Sequence, residues 1–128
     1  MSITTSPTSL LSRNSDVNPV RVKSIEGHPM YGGELLAKLM IASDEMTFLE
    51  LHYQAGVGVP MHTHTHESIT YVVKGKVGMR VGDHDYILNP GDVCRHPIGV
   101  PHRVEAIEDS VMIEIKSPAP SMESFFKV

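Results

Sequence analysis

The chain predicts an all-β fold, closed into a sandwich or barrel. From residue 20 onward, apolar residues alternate with polar ones or run in short stretches, and Gly, Pro, Asn and Asp punctuate the gaps. Short strands at that spacing are the raw material of sandwiches and barrels. A length of 128 residues and a mass of 14.1 kDa allow one small core. We therefore expect a flexible N-terminal arm over 1–19 and a single domain over 20–128.

The arm is rich in Ser, Thr, Asn and Pro, with Leu10 and Leu11 as its apolar anchor, and is expected to be mobile, with docking on a neighbour as the way to order it. The segment 33–41 is the best helical candidate, yet its β-like surroundings favour a strand. Strands follow at 46–53 and, as one continuous element, at 62–73, with 55–58 as a loop between them. Lys74-Gly75-Lys76 reads as a tight turn that brings 77–81 back to pair with 62–73. Gly82-Asp83 turns again before 86–88. In Asn89-Pro90-Gly91-Asp92, Pro fixes φ and Gly can take a positive one. Strands at 93–96, 102–106 and 111–115 complete the series. The tail is expected to be extended, with Phe125 and Phe126 on the barrel exterior, and the eight Met to fill the core.

Composition excludes several functions. A net charge of -4 and a pI near 6.0 leave no basic footprint for nucleic acid. Tryptophan is absent and aromatics are 5%, so a stacking surface for bases or sugars is poorly supplied. No apolar run reaches the length of about 18 residues that a membrane span requires. The single cysteine, Cys94, forbids an internal disulfide and fits a reducing, cytoplasmic setting.

Chemistry concentrates in Met61-His62-Thr63-His64-Thr65-His66-Glu67-Ser68 and in Pro97-Ile98-Gly99-Val100-Pro101-His102. Alternate side chains of a strand share one face, so His62 and His64 can aim at one point. With His102 from another strand, they make a three-nitrogen cup suited to a divalent transition metal: Fe, Mn, Zn, Ni or Cu. A histidine-rich loop without a metal role is the alternative for the first run alone. The internal position, the alternation and the second segment weigh against it.

Together these segments resemble the cupin superfamily, in its small single-domain form. Its first motif reads Gly, five residues, His-X-His, three or four residues, Glu, six residues, Gly. Gly56, His62, His64 and Gly75 fit, with Ser68 at the place of the Glu. The second motif reads Gly, five residues, Pro-X-Gly-X-X-His, three residues, Asn. Gly91, Pro97, Gly99 and His102 fit, with Ala106 at the place of the Asn. The resemblance spans Gly56 to Ala106. It implies a conical, jelly-roll-like barrel of two antiparallel sheets, also described as a double-stranded β-helix. His62, His64 and His102 carry over as metal ligands.

Ser68 is the departure. It leaves the fourth position vacant, or His66, which has the right parity, serves as a fourth ligand or supporting donor. Glu67 has the wrong parity and is expected outside the ligand set. The vacant position is the favoured reading. Neutral imidazoles leave the ion close to a full +2, which makes a strong Lewis acid for carboxylates, enolates and β-diketones.

The expected function is a metal-dependent enzyme on a small, oxygen-rich substrate, with His66 or Glu67 as the group that moves a proton. One subtype resembles the small cupins of uronate breakdown, in which Gln often stands at the place of Ser68; the other resembles three-His iron dioxygenases. A non-catalytic ligand-binding cupin is the alternative. His96 or Cys94 lines the pocket or serves structure. Arg80, Arg95 and Arg103 are candidates for a substrate carboxylate, and Tyr71 for a proton donor; His28, His52 and His84 receive no role. Finally, 68–73 is apolar on both faces, Thr70 and Val72 on one, Ile69, Tyr71 and Val73 on the other. A strand greasy on both sides is covered on both, here by a second subunit or by the N-terminal arm, and a homodimer is the expectation.

Overall fold

The structure, a computed structural model, describes residues 9–127. After a 3-10 turn at Asn14–Asp16 come β1 (Val20–Val22), β2 (Ser24–Ile25), β3 (His28–Pro29), β4 (Leu35–Ala42), β5 (Thr47–Tyr53) and β6 (Gly58–His62). They are followed by β7 (Glu67–Lys74), β8 (Val77–Val81), β9 (His84–Leu88), β10 (Val93–His96), β11 (His102–Ala106) and β12 (Ser110–Ser117). A four-residue helix, α1 (Met122–Phe125), and β13 (Phe126–Lys127) close the chain. One sheet has the order β1-β4-β5-β12-β7-β10, a second β6-β11-β8-β9, and a small third β13-β2-β3. All pairings between these strands are antiparallel.

Period-two patterning builds the core. On β5, Thr47, Leu49, Leu51 and Tyr53 turn inward and are buried; Val22, Leu35, Val59, Val72 and Met112 meet them from the other strands. Each such aliphatic contributes about 1.5–3 kcal/mol by leaving water. Met79, Met112 and Met122 join this core, but Met46 and Met61 are exposed, so methionine is not uniformly filler.

Three expectations are corrected. The segment 62–73 is not one strand: β6 ends at His62, β7 starts at Glu67, and the two lie in different sheets. Two sheets packed over one core need corners where the chain changes sheet, and 63–66 is such a corner. Strikingly regular alternation would have suggested otherwise, and in fact burial still alternates through it, with His62, His64, His66, Ser68, Thr70 and Val72 inside. The same logic applies at Gly75: β8 pairs with β9 and β11 rather than back onto β7. Gly75 has φ 95°, and a Cβ there would collide with Ser110 Oγ and the Asp109 carbonyl, so this crossing needs glycine. The third correction is the tail, where Phe125 and Phe126 are buried rather than laid on the exterior. Pairing of β13 with β2 carries them inward.

Of the arm, residues 1–8 lie outside the described residues. Leu10 and Leu11 remain exposed, while Asn14 docks on the sheet: its Nδ2 donates to Glu50 Oε1 (3.0 Å) and its Oδ1 accepts from Lys38 Nζ (2.8 Å).

Candidate metal centre

The corner at 63–66 and the start of β11 bring the three histidines together. His102 lies opposite His62 in the β11–β6 register, so one cross-strand pair supplies two imidazoles. His64 is delivered by the corner. Ring centroids are 4.5 Å apart for His62–His64, 4.4 Å for His62–His102 and 5.0 Å for His64–His102. One nitrogen of each lies within 4.8 Å of the others. All three residues are buried.

Hydrogen bonds orient two of these rings. His62 Nδ1 is 2.6 Å from the Pro60 carbonyl, which can only accept, so Nδ1 carries the proton and Nε2 keeps a lone pair. His64 Nδ1 is 2.6 Å from Glu26 Oε1. A carboxylate behind a histidine fixes its tautomer and raises its basicity as a ligand. Glu26 sits in the two-residue turn between β2 and β3, at φ 45°, followed by Gly27 at φ 82°. A non-glycine residue rarely adopts that conformation and it costs of order 1–3 kcal/mol. Here it delivers the carboxylate to His64.

Burial keeps these rings neutral. It lowers the pKa of His62, and together with the Lys116 charge it lowers His64 to about 2. Burial, then the neighbouring His96 and His62, takes His102 down to about 3. Neutral imidazole is the form that binds a metal. The Glu26–His64 contact is accordingly an N–H donated to a carboxylate rather than an ion pair. His102 Nδ1 is buried without a hydrogen-bond partner. Three neutral nitrogen donors, one of them orphaned, fit a divalent transition metal.

The cavity they border has a volume of about 20 Å³. His96, Thr70, Glu114, Lys116 and Phe125 also line it. His96 Nε2 lies 3.0 Å from Thr70 Oγ1, and its ring is 4.4 Å from that of His102. Lys116 is fully buried; its Nζ donates to Glu114 Oε1 (2.9 Å) and to Ser68 Oγ (3.1 Å) and lies 4.4 Å over the Phe125 ring. Burial alone would raise the Glu114 carboxyl, but the Lys116 ammonium overrides it and holds the group at about 2. Ser68 is therefore not a bare vacancy: a lysine ammonium reaches the place of the family's carboxylate.

Other expected residues stand off the three-histidine cup. His66 does not line the cavity but stays beside it: it stacks on His64 (4.5 Å, 16°) and against Phe125 (5.3 Å), one of its nitrogens lies within 4.8 Å of ligand atoms of Glu26 and His64, and its Nε2 is buried and unpartnered. Glu67 points outward, 3.6 Å from Arg95. That contact also removes Arg95 from the cavity, and Arg80 pairs with Asp85 at 2.9 Å. Arg103 and Tyr71 face outward as well, and Cys94 is half-buried away from the histidines. His28 packs its ring 5.5 Å from His62, closer to the site than the sequence suggested.

Sequence reasoning missed Lys116, Glu114, Phe125 and Glu26. A signal existed for the first two. In Val111-Met112-Ile113-Glu114-Ile115-Lys116 the charges share parity with Met112, not with the apolar Val111, Ile113 and Ile115. Either the charges or the aliphatics had to face inward, and the cavity takes the charges.

A family model described as a cupin domain matches residues 49–115. The chain belongs to the cupin family. Among solved structures, KdgF from Halomonas sp. superposes with a TM-score of 0.73 at 22% identity, over 86% of this cupin and 95% of that chain. An RmlC-like cupin from Shewanella frigidimarina gives 0.75 at 21% identity, over 88% and 93%. A predicted oxalate decarboxylase from Thermotoga maritima gives 0.73 at 21% identity, over 84% and 98%. Comparison with curated proteins gives no match. Among the described residues no helix is long and apolar enough to cross a membrane.

Proposed function

We infer that this cupin is a metal-dependent enzyme acting on a small, oxygen-rich substrate, with His62, His64 and His102 holding a divalent transition metal. The observation that carries this reading is the trio of buried, neutral imidazoles with nitrogens within 4.8 Å of one another beside a polar cavity. A metal bound there supplies Lewis acidity toward a carbonyl, enolate or carboxylate oxygen. The chain's own residues do the rest. Pro60 and Glu26 hold the rings of His62 and His64. Thr70 holds His96, and Phe125 shields His64 from water. His66, lowered to about 4 by burial and by Lys116, is in its base form at pH 7, but it is stacked on His64 outside the cavity lining, so it supports that ring and its proton-moving role is not carried forward. Glu67 is not carried forward, because its carboxylate faces Arg95.

Isomerase or lyase chemistry and three-His dioxygenase chemistry both suit this donor set. Metal analysis of the purified protein, followed by oxygen-uptake screening with diketones and flavonols, separates them. Bound iron with substrate-dependent oxygen uptake selects the dioxygenase; turnover of a sugar acid without oxygen selects the isomerase or lyase. Protein that retains no transition metal after supplementation refutes the reading.

The chain is also read as a homodimer of a domain over 20–128. Ile69, Tyr71 and Val73 on β7 are exposed at 41%, 45% and 48%, and Val93 on β10 at 60%. Leu10 and Leu11 stay exposed, so the described part of the arm leaves that face bare. A second copy, offering the same face, covers it. Sedimentation at the mass of one chain, 14.1 kDa, at micromolar concentration would refute it.

A further inference from the structure

We propose that Lys116 makes the cavity selective for a small carboxylic acid with a neighbouring oxygen, a 2-oxo or 2-hydroxy acid, by donating a hydrogen bond to its carboxylate beside the histidine trio. This rests on the metal reading above and narrows it: of carboxylates, enolates and diketones, it selects the first.

Burying an ammonium costs several kcal/mol unless it is paired and hydrogen-bonded. Lys116 is 1% exposed, and two of its three N–H groups are spent on Glu114 Oε1 and Ser68 Oγ. The third finds no acceptor among the described residues, and the nearest group on that side is the face of Phe125 at 4.4 Å. A phenyl face is a weaker partner for an ammonium than a carboxylate is. One strong donor is thus left over, in the wall of the cavity that His62, His64 and His102 also line. Neither arginine nor a second lysine lines that cavity.

Charge points the same way. A divalent ion and Lys116 bring three positive charges, and Glu114 and the nearby Glu26 bring two negative ones. A monoanion balances the site, carboxylate and enolate alike, so charge excludes a neutral ligand and the choice between the two rests on the Lys116 hydrogen bond. Ser68 has a part in this, since its neutral hydroxyl accepts one N–H of the lysine and leaves the positive charge in place. With about 20 Å³ free, the cavity holds little more than an ion and about one water. The ligand therefore enters by displacing Phe125, the same ring that covers the spare N–H.

The test uses the full chain loaded with zinc, with pyruvate and acetylacetone as probes. In the wild type the Lys116 15Nζ resonance should move with pyruvate and stay put with acetylacetone. In the double variant E114Q/K116M, which leaves no charge stranded, calorimetry should show zinc retained and acetylacetone affinity within about twofold of wild type. Pyruvate affinity should fall by about tenfold or more, the value of one charge-assisted hydrogen bond. Unchanged pyruvate affinity, or an equal loss for both probes, overturns the role of Lys116 while leaving the metal site standing. Should the double variant not fold, the wild-type resonance decides alone, and its failure to move overturns the proposal. A wild type that takes up no zinc overturns the metal reading and this one with it.

Discussion

Removing Lys116 alone should destabilise the protein far more than removing it together with Glu114. The two side chains are 1% and 16% exposed and joined at 2.9 Å, so water screens them little. Lys116→Met strands the Glu114 carboxylate, and breaking a buried pair by deleting one partner costs about 3–5 kcal/mol. Against the cost of its own burial, the Lys116 ammonium holds the Glu114 carboxyl well below the usual carboxylate range, so it is the charged form that the single variant strands. In E114Q/K116M no charge is buried, volume is nearly conserved, and the loss should stay under about 1.5 kcal/mol. Urea unfolding of the metal-free protein at pH 7 reads the difference. With a slope of about 1–3 kcal/mol/M, the single variant's midpoint should drop by about 1–3 M and the double variant's by much less. If the double variant loses as much as the two single variants combined, the pair is not an ion pair excluded from water.

Four further outcomes are expected. His62→Ala or His102→Ala should abolish metal retention, measured by elemental analysis after dialysis, while the β-type circular dichroism survives; unchanged stoichiometry in either would reject the ligand set. Metal-free protein should lose stability as pH falls below 6.5. The folded state holds His64, His102 and His66 at about 2, 3 and 4, so the unfolded state takes up more protons across this window and stability falls with pH. Between pH 7 and pH 5 the loss should exceed about 2 kcal/mol, and a flat urea midpoint would contradict it. Phe125→Ala should cost about 3–5 kcal/mol or loosen the tail alone, and in either case speed metal exchange with a chelator; an unchanged exchange rate would show that Phe125 is no plug. Ser68→Glu should tighten the metal roughly tenfold in chelator competition by adding a charged ligand. Unaltered affinity would mean that Lys116 captures the new carboxylate instead.

The ligand histidines were legible because burial parity survives where the strand does not. His62, His64, His66 and Ser68 all turn inward, although only His62 and Ser68 lie in strands. Period-two reasoning therefore found the correct faces from an incorrect element. It could not find the corner, because a sheet change is decided by which partners flank a segment, and those are His102 of β11 opposite His62 on one side and Ser117 of β12 and His96 of β10 opposite Glu67 and Ser68 on the other. Glu26 left no trace in the pattern. Nothing in Ile25-Glu26-Gly27-His28 announces that the Glu takes a left-handed conformation or that its carboxylate meets a histidine far along the chain. Phe125 was misplaced for a related reason, since two residues of pairing with β2 fix where the tail goes.

β12 ties the cavity to the outer surface. Strand alternation sends Met112, Glu114 and Lys116 inward, and the same alternation must send Val111, Ile113 and Ile115 outward. The neighbouring β7 repeats the arrangement, with Ser68 and Thr70 inside and Ile69, Tyr71 and Val73 outside. A one-residue slip of β12 would bury aliphatics and expose the ion pair, and a slip of β7 would bury aliphatics and turn out Ser68 and Thr70; by hydrophobic burial alone either would be the better monomer. Cross-strand pairing of Ile115 with Ile69 and of Lys116 with Ser68 holds the observed register. That register gives the cavity its charges and leaves the outer aliphatics as the face on which a second copy is proposed to sit. Charge inside and apolar surface outside are thus two faces of one choice.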